Sequence, residues 1–181
     1  MGDMITPPHF VRFYNDGACL AKEVSHFIGV GLEAGHAGIV IATPSLLDSL
    51  DQRLSARGLD VPAARKRGHY VPLDAAQTLS QFMVNGWPDE ERFLNVVGAV
   101  MARAEGNHSW TRAFGEMVAL LVADHKPGAA IRLEQLWNSL NKTHSFSLFC
   151  AYPMVSFDAQ TDNNGFRDIC AEHAPVLLAD Y

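Results

Sequence analysis

The sequence predicts an α/β fold of three layers, in which helices cover both faces of a mostly parallel sheet. Apolar runs of strand length alternate along the chain with segments whose apolar residues recur at helical spacing. The run over 38–43 is continuously apolar, which is typical of a strand buried on both faces. With 181 residues, 48% of them hydrophobic, the chain has the size of one domain with a substantial core. We expect a single domain with its core over 9–154 and a C-terminal extension over 155–181.

Five strands are predicted from short β-prone or apolar runs that end at a turn or a helix cap. They cover residues 9–14, 38–43, 69–73, 110–115 and 145–152. The first run, HFVRFY, is rich in aromatic residues and ends at the turn Asn15-Asp16-Gly17. The last run, SFSLFCAY, is followed by Pro153, which cannot donate a sheet hydrogen bond. Because strands alternate with helices, we expect right-handed crossovers between parallel strands.

Helices are predicted from apolar residues spaced at a period of about 3.6 and from capping signals. They cover residues 18–33, 44–58, 74–83, 89–106, 117–123, 129–142 and 166–173. Asp16 and Thr43 are suited to cap the first two helices. The run Asp74-Ala-Ala-Gln77 is a capping box for the third. Residues 85–88 (NGWP) break the chain before the fourth helix, and 155–164 are expected to form a loop.

The acidic composition disfavours several classes of partner. A net charge of −6 and a pI near 5.7 oppose binding to nucleic acid or anionic lipid, and the basic cluster at 65–67 (RKR) is interpreted as a solvated helix end. No apolar stretch approaches the ~18 residues that span a bilayer. Cys19, Cys150 and Cys170 lack CxxC spacing, so neither a disulfide framework nor a zinc ribbon is indicated. We expect a cytoplasmic protein without direct contact to nucleic acid or membrane.

A ligand site is expected at the carboxyl ends of the strands, where open α/β sheets usually bind their ligands. Most candidates end or follow a strand, and one lies on the helix over 129–142: Phe13, Tyr14, Asp16, Thr43, Asp74, Phe114, Glu116, Met117, Trp137, Cys150 and Tyr152. Core packing is the alternative role of the apolar candidates. Glu116 has the position of a general base or cation ligand, with capping of the next helix as the alternative.

The residues of a working nucleotide hydrolase are missing. The turn over 14–22 (YNDGACLAK) lies where a phosphate loop would follow the first strand, yet it has one glycine and no GK[ST] motif. Asp16 in this turn would repel a phosphate. GxSxG and HExxH are absent as well. Cys170 and His173 share an i, i+3 spacing, but two ligands do not form a metal site, and we expect a packed cysteine beside a partly exposed histidine. No catalytic residue, metal or cofactor is predicted.

Several segments, taken in order, resemble a known family. They are HFVRFYND, GIVIATP, HYVPLDAAQTLSQFMVNGWPDEERF, RAFGEMVALL, RLEQLWNSL and FSLFCAYP, within residues 9–154. Together they resemble the MEDS domain, a bacterial sensory domain named for methanogens and methylotrophs. The resemblance implies a RecA/KaiC-like core without a Walker A loop, which senses small, often hydrocarbon-like molecules. It also implies an output partner, either a histidine kinase of a two-component system or a DNA-binding transcription regulator.

Three functions stay open at this point. The first, which we expect, is a sensor that binds a small apolar or amphipathic molecule, because sensing needs only different affinities for two conformations and no catalytic group. The second is a nucleotide-binding remnant or weak NTPase that uses Thr43, Asp74 and Glu116. The third is a ligand-free interaction module that docks to a partner or forms a homodimer. The chain has no kinase segment or helix-turn-helix, so we expect a sensor fragment or a stand-alone sensor.

Overall fold

The computed structural model describes residues 9–108, 110–156 and 163–177. Within these ranges, six strands form one sheet and two form a separate hairpin. The strands are β1 (His9–Tyr14), β2 (Ala37–Ala42), β3 (Tyr70–Asp74), β4 (Met83–Val84), β5 (Trp87–Pro88), β6 (Thr111–Gly115), β7 (Phe146–Pro153) and β8 (Val176–Leu177). The sheet has the order β3-β2-β6-β7-β1-β8, and each neighbouring pair is parallel.

Helices connect the strands of the sheet. They are α1 (Gly17–Glu33), α2 (Pro44–Ala56), α3 (Val61–Lys66), α4 (Ala75–Phe82), α5 (Glu90–Phe93), α6 (Ala99–Asn107), α7 (Met117–Ala123), α8 (Pro127–Asn141) and α9 (Asn163–Ala171). A π-helical turn over Leu94–Gly98 joins α5 to α6, so these three segments together form the long helix predicted over 89–106. A 3-10 turn over Met154–Ser156 follows β7.

The sheet separates two hydrophobic layers, which confirms the three-layer α/β prediction. One face carries α1, α2 and α3, whose apolar residues pack with Phe10, Phe114 and Phe149. The other face carries α4 to α9, packed around Phe13 and Trp137. Successive side chains of a strand point to opposite faces of the sheet. On β1, Phe10 therefore packs in the first layer and Phe13 in the second. None of the helices within the described ranges is long and apolar enough to cross a bilayer.

Two of the three predicted helix caps are confirmed. Asp16 Oδ1 accepts a hydrogen bond of 2.9 Å from the backbone N–H two residues on, and Asp74 Oδ1 accepts one of 2.7 Å from the N–H three residues on. Thr43 occupies the N-cap position of α2, but its side chain makes no capping bond. Its hydroxyl lies instead 3.4 Å from the Ser45 hydroxyl, and Pro44 has no N–H to satisfy.

Two short elements and one hairpin were not predicted. Helix α3 and strand β8 are too short for their periodicity to stand out from the surrounding sequence. The break predicted at 85–88 is the turn and second strand of the β4-β5 hairpin. Asn85 and Gly86 have φ of 52° and 80°, the left-handed values that a two-residue hairpin turn requires at both central positions.

The C-terminal segment differs from its prediction in where the helix lies. Helix α9 begins at Asn163, so residues 163 and 164, predicted as loop, are helical. It ends at Ala171 rather than at His173, and β8 then pairs with β1 at the edge of the sheet. The remainder of the predicted loop is a 3-10 turn up to Ser156, and residues 157–162 lie outside the described ranges.

Candidate functional site

A cleft of about 330 Å³ opens between α1 and α2 at the carboxyl ends of β1, β2 and β6. We call it the carboxyl-end cleft. It is lined by Tyr14, Gly17, Ala18, Leu20, Ala21, Thr43, Ser45, Leu46, Ser49, Arg53 and Glu116. Parallel strands bring their carboxyl ends to one edge of the sheet, which explains why Tyr14, Thr43 and Glu116 meet although they lie far apart in the sequence.

Glu116 ties two strand ends together at the floor of the cleft. Its Oε2 accepts a hydrogen bond of 2.7 Å from the backbone N–H of Thr43 after β2, and its own N–H donates to the Ile41 carbonyl at 2.9 Å. Burial, together with the negative charge of Glu116, raises the pKa of Tyr14. Tyr14 therefore presents a neutral phenol that both donates and accepts hydrogen bonds.

The first turn of α1 is occupied by its own cap. A phosphate bound in a strand–loop–helix unit is held by the free N–H groups at the helix N-terminus. Here the Asp16 carboxylate accepts a hydrogen bond from Ala18 N–H at this place. An anion at the start of α1 would meet this negative charge.

A second polar site is buried between the sheet and α8. Glu134 has no exposed surface, and its carboxylate is contacted on both oxygens. Oε1 accepts a hydrogen bond of 2.7 Å from the Tyr152 hydroxyl and lies 3.2 Å from His173 Nε2. Oε2 lies 3.2 Å from His9 Nε2 and accepts from Cys150 Sγ at 3.4 Å. We call these five residues the Glu134 cluster.

Outer contacts orient both histidines of the Glu134 cluster. His173 Nδ1 lies 2.7 Å from the Ile169 carbonyl oxygen. His9 Nδ1 lies 2.7 Å from Asn138 Oδ1, and the Asn138 amide nitrogen donates to the backbone carbonyl and a carboxylate oxygen of Glu172, both at 3.0 Å. The two imidazole rings lie with centroids 4.1 Å apart. Both Nε2 atoms consequently face the carboxylate.

The charges in the Glu134 cluster shift one another's protonation. Burial acts to raise the pKa of Glu134, but attraction to His173 and His9 lowers it well below its usual range. Burial acts to lower the pKa of His173, but the Glu134 carboxylate raises it above its ordinary value. Burial, reinforced by Glu134, raises the pKa values of Cys150 and Tyr152. Glu134 is thus a buried acid that stays ionised beside these two histidines.

The predicted site residues fall into separate places. Tyr14, Thr43 and Glu116 line the carboxyl-end cleft, and Cys150 and Tyr152 belong to the Glu134 cluster. Asp16 and Asp74 cap helices. The remaining candidates are in the core and at most 1% exposed: Phe13, Met117 and Trp137 in the layer of α4 to α9, and Phe114 in the layer of α1 to α3.

Sequence reasoning missed His9, Glu134 and His173. One signal was present for Glu134, since this acid stands in the apolar stripe of α8 between Leu133 and Leu136, and a buried charge requires a partner. The expectation of a partly exposed His173 beside Cys170 was wrong. His173 is 7% exposed, and its ring contacts Glu134 of α8 from the segment after α9, a contact that no local spacing reveals.

A larger cavity of about 570 Å³ runs along the start of edge strand β3. The basic cluster at 65–67 lines it together with Arg103, and the side chains at 65–67 are exposed as predicted. Arg65 forms an ion pair with Asp51. Exposed cations dominate this wall, whereas the carboxyl-end cleft gathers groups from three strand ends. The smaller cleft is therefore the better candidate for a small ligand.

Comparisons with known proteins test the predicted family and fold. A family model described as MEDS, the MEthanogen/methylotroph, DcmR Sensory domain, matches residues 8–173. The comparison with curated proteins gave no match. Among solved structures, a KaiC-like protein from the hyperthermophilic archaeon Pyrococcus horikoshii OT3 is similar over 94% of this chain and 71% of its own, with a TM-score of 0.61 and 13% sequence identity. At this identity the likeness shows the fold alone, and it confirms the predicted KaiC-like architecture.

Proposed function

Because this chain belongs to the MEDS family of sensory domains, we propose that it senses a chemical signal by binding a small amphipathic molecule in the carboxyl-end cleft. Binding is relayed to an output module in the cytoplasm, either a histidine kinase or a transcription regulator. Three free cysteines, Cys19, Cys150 and Cys170, agree with that compartment. The domain acts through binding and is not an enzyme.

The composition of the carboxyl-end cleft is the observation that carries this proposal. Leu20, Ala21 and Leu46 supply an apolar wall, while the Tyr14 hydroxyl and the Arg53 guanidinium supply polar groups. Ligand sites combine apolar walls with a few polar groups that fix orientation, and a volume of about 330 Å³ suits a small molecule. Such a site favours a molecule with a short apolar body and one polar end.

The walls of the cleft provide the relay. They belong to α1 and α2, which pack on each other and on the same face of the sheet, whereas the floor is held by the bond from Thr43 N–H to Glu116. A ligand that fits better when α1 and α2 are closer shifts the population toward that conformation. A difference of about 1–3 kcal/mol in its binding free energy is enough for signalling.

Thermal unfolding of the purified chain with a panel of short alcohols, aldehydes and amides tests the proposal, together with native mass spectrometry for co-purified molecules. A ligand at a hundred times its Kd adds about 2.7 kcal/mol of stability, which raises Tm of a chain of this size by roughly 5–11 °C. We expect at least one panel member to produce such a shift.

Two matched variants locate the binding site. Ala18→Trp fills the carboxyl-end cleft from α1, and Ala76→Trp places the same side chain at the equivalent second position of α4, where Ala76 is exposed. The ligand should stabilise the second variant and not the first. Equal stabilisation of both variants would place the ligand elsewhere. A shift with Mg-ATP alone would favour a nucleotide-binding remnant, and a chain that binds no panel member but dimerises would favour an interaction module.

A further inference from the structure

In the Glu134 cluster, the Nε2 atoms of the two histidines lack a good hydrogen-bond donor among the protein groups. A carbonyl oxygen only accepts hydrogen bonds, so the 2.7 Å contact between His173 Nδ1 and Ile169 places a proton on Nδ1. A neutral His173 therefore turns the lone pair of Nε2 toward Glu134. Although Nε2 lies 3.2 Å from Oε1, it makes no aligned hydrogen bond, even though the side chain is fully buried.

His9 repeats this arrangement from the other side. The amide nitrogen of Asn138 donates to Glu172, so Asn138 turns its oxygen toward His9. His9 Nδ1 must then carry the proton that it donates to this oxygen at 2.7 Å. The Nε2 lone pair of a neutral His9 points at Glu134 Oε2, 3.2 Å away, and at Cys150 Sγ, 3.4 Å away.

Two lone pairs and a carboxylate that face one another away from water require positive charge between them. A single extra proton balances the carboxylate but leaves the other Nε2 lone pair facing it, and protonation of both imidazoles leaves a net charge in the interior. A divalent cation bound by two neutral imidazoles, a carboxylate and the Cys150 thiolate, whose proton is released to solvent on binding, gives a neutral set. The outer contacts also match a metal site, since histidine ligands commonly donate their second ring N–H to a carbonyl or carboxylate group.

We propose that His9 Nε2, His173 Nε2, Cys150 Sγ and one oxygen of Glu134 are the four ligands of a buried zinc ion. One ligand atom from each of these four residues lies within 4.8 Å of the others. His9 Nε2, Cys150 Sγ and Glu134 Oε2 lie 3.2–3.4 Å apart, and His173 Nε2 lies 3.2 Å from the other carboxylate oxygen, Oε1. In a tetrahedron with zinc bonds of about 2.0–2.3 Å, neighbouring ligands lie about 3.3–3.7 Å apart. The widest pair therefore closes by at most about 1 Å on binding.

The chemistry of the donors selects the metal. Thiolate and imidazole ligands suit zinc and other late transition ions, whereas Mg²⁺ and Ca²⁺ take oxygen ligands. Four protein ligands without an open position are typical of a structural zinc site rather than a catalytic one. The ion would join β1, β7, α8 and the segment after α9, and would hold the C-terminal segment against the edge of the sheet. This inference does not rest on the cleft as ligand site.

Cobalt substitution tests the zinc site with a direct readout of its ligands. The chain, freed of any purification tag, is stripped with a chelator and titrated with Co²⁺, whose tetrahedral complexes absorb strongly in the visible and whose thiolate bonds add a charge-transfer band in the near ultraviolet. We expect about one equivalent of Co²⁺ to bind with both signals, and Zn²⁺ to displace it.

The other two cysteines provide the matched control. The double variant Cys19→Ser, Cys170→Ser leaves Cys150 as the remaining thiol of the chain and leaves the proposed ligands untouched. It should keep the charge-transfer band, whereas Cys150→Ser should lose it. Asn138→Ala, which frees His9, should weaken Zn²⁺ binding about 10–100-fold. Loss of the band in the double variant, or a wild-type chain that binds no Co²⁺ in tetrahedral form, would overturn the proposal even if Cys150→Ser fails to fold.

Discussion

At the scale of the residue, Glu134 of α8 contacts side chains from three other parts of the chain. Its carboxylate contacts Tyr152 and Cys150 from β7, His9 from β1 and His173 after α9. A buried carboxylate is tolerated because these partners replace water. Because of these contacts, substitution of Glu134 should destabilise the fold, since removal of the acid leaves several buried polar groups without their partner.

Replacement of Glu134 is therefore expected to be costly even without metal. Glu134→Ala, measured by urea unfolding in the presence of a chelator, should lower the free energy of unfolding by about 3–5 kcal/mol, the usual cost of removing one partner of a buried ion pair. The control Glu91→Ala removes an exposed first-turn acid from α5 and should cost less than about 1 kcal/mol. Similar losses in both variants would show that the contacts of Glu134 contribute little.

His69 is expected to make the stability of the protein depend on pH. Burial and the nearby His108 lower the pKa of His69 below its ordinary value of 6.5, and the two rings stack with centroids 4.8 Å apart. The unfolded chain thus binds a proton at His69 more readily than the folded chain, so this contribution to stability is present above pH 6.5 and is lost as the pH falls toward the folded pKa.

Urea unfolding from about pH 8 to about pH 5 measures this effect. Because the raised pKa of His173 acts in the opposite direction, the readout is a difference: from about pH 8 to about pH 5 the wild type should lose stability relative to His69→Gln. His26→Gln, a change at an exposed histidine on α1, should leave the slope unchanged. A wild-type slope retained in His69→Gln would contradict the assignment to His69.

At the scale of the element, α1 packs closely on β6 because Gly31 has no side chain. A Cβ at this position would lie 2.6 Å from Arg112 Cδ. The Arg112 guanidinium donates to the Phe27 carbonyl at 2.9 Å and stacks on the Phe27 ring, which connects β6 to the buried face of the helix. The glycine is thus required by packing rather than by backbone conformation.

The pair Gly31→Ala and Gly106→Ala separates packing from helix propensity. Gly31→Ala displaces Arg112 and should lower the free energy of unfolding by about 1–3 kcal/mol, as overpacking usually does. Gly106→Ala, near the end of α6, adds a methyl group where no atom lies within 4 Å and should raise stability by about 0.4–1 kcal/mol. A stabilising Gly31→Ala would show that Arg112 moves aside without cost.

At the scale of the whole molecule, Asn138 joins the C-terminal segment to the body of the domain. It bridges His9 at the start of β1 and Glu172 after α9, while β8 adds to the sheet beside β1. Hydrogen exchange reports such regional stability through the free energy of local opening. The C-terminal segment is expected to open as a unit that depends on this bridge.

Asn138→Ala should raise amide exchange over residues 167–176 and leave β2 and β6 protected. The lost hydrogen bonds, one of them to a charged group, correspond to about 1–3 kcal/mol of local opening free energy. Ser139→Ala, at the exposed neighbouring position of α8, is the control and should leave exchange unchanged. Uniform exchange increases across the sheet would indicate global destabilisation instead.

The sequence allowed much of the fold and a part of the sites to be predicted. The five long strands and the caps at Asp16 and Asp74 follow from local patterns, and all were predicted close to their observed places. Because open α/β sheets bind ligands at the carboxyl ends of their strands, Tyr14, Thr43 and Glu116 were predicted as site residues, and the sheet brings them together in one cleft. The two-residue strand β8 and the short helix α3 were missed because they contain too little periodicity.

By itself the sequence determined the alternating elements and the three layers, because apolar periodicity, capping residues and turn signals act between near neighbours in the chain. The family followed from the resemblance of several segments in order, and the family model confirms it. Only the tertiary structure decided the strand order and which polar side chains meet. His9 and Cys150 lie 141 positions apart, yet their side chains approach within 3.4 Å because β1 pairs with β7. Contacts of this kind depend on how the sheet and the helices pack together. Because of this packing, Glu134, an acid in the apolar stripe of α8, lies at the centre of a buried polar cluster.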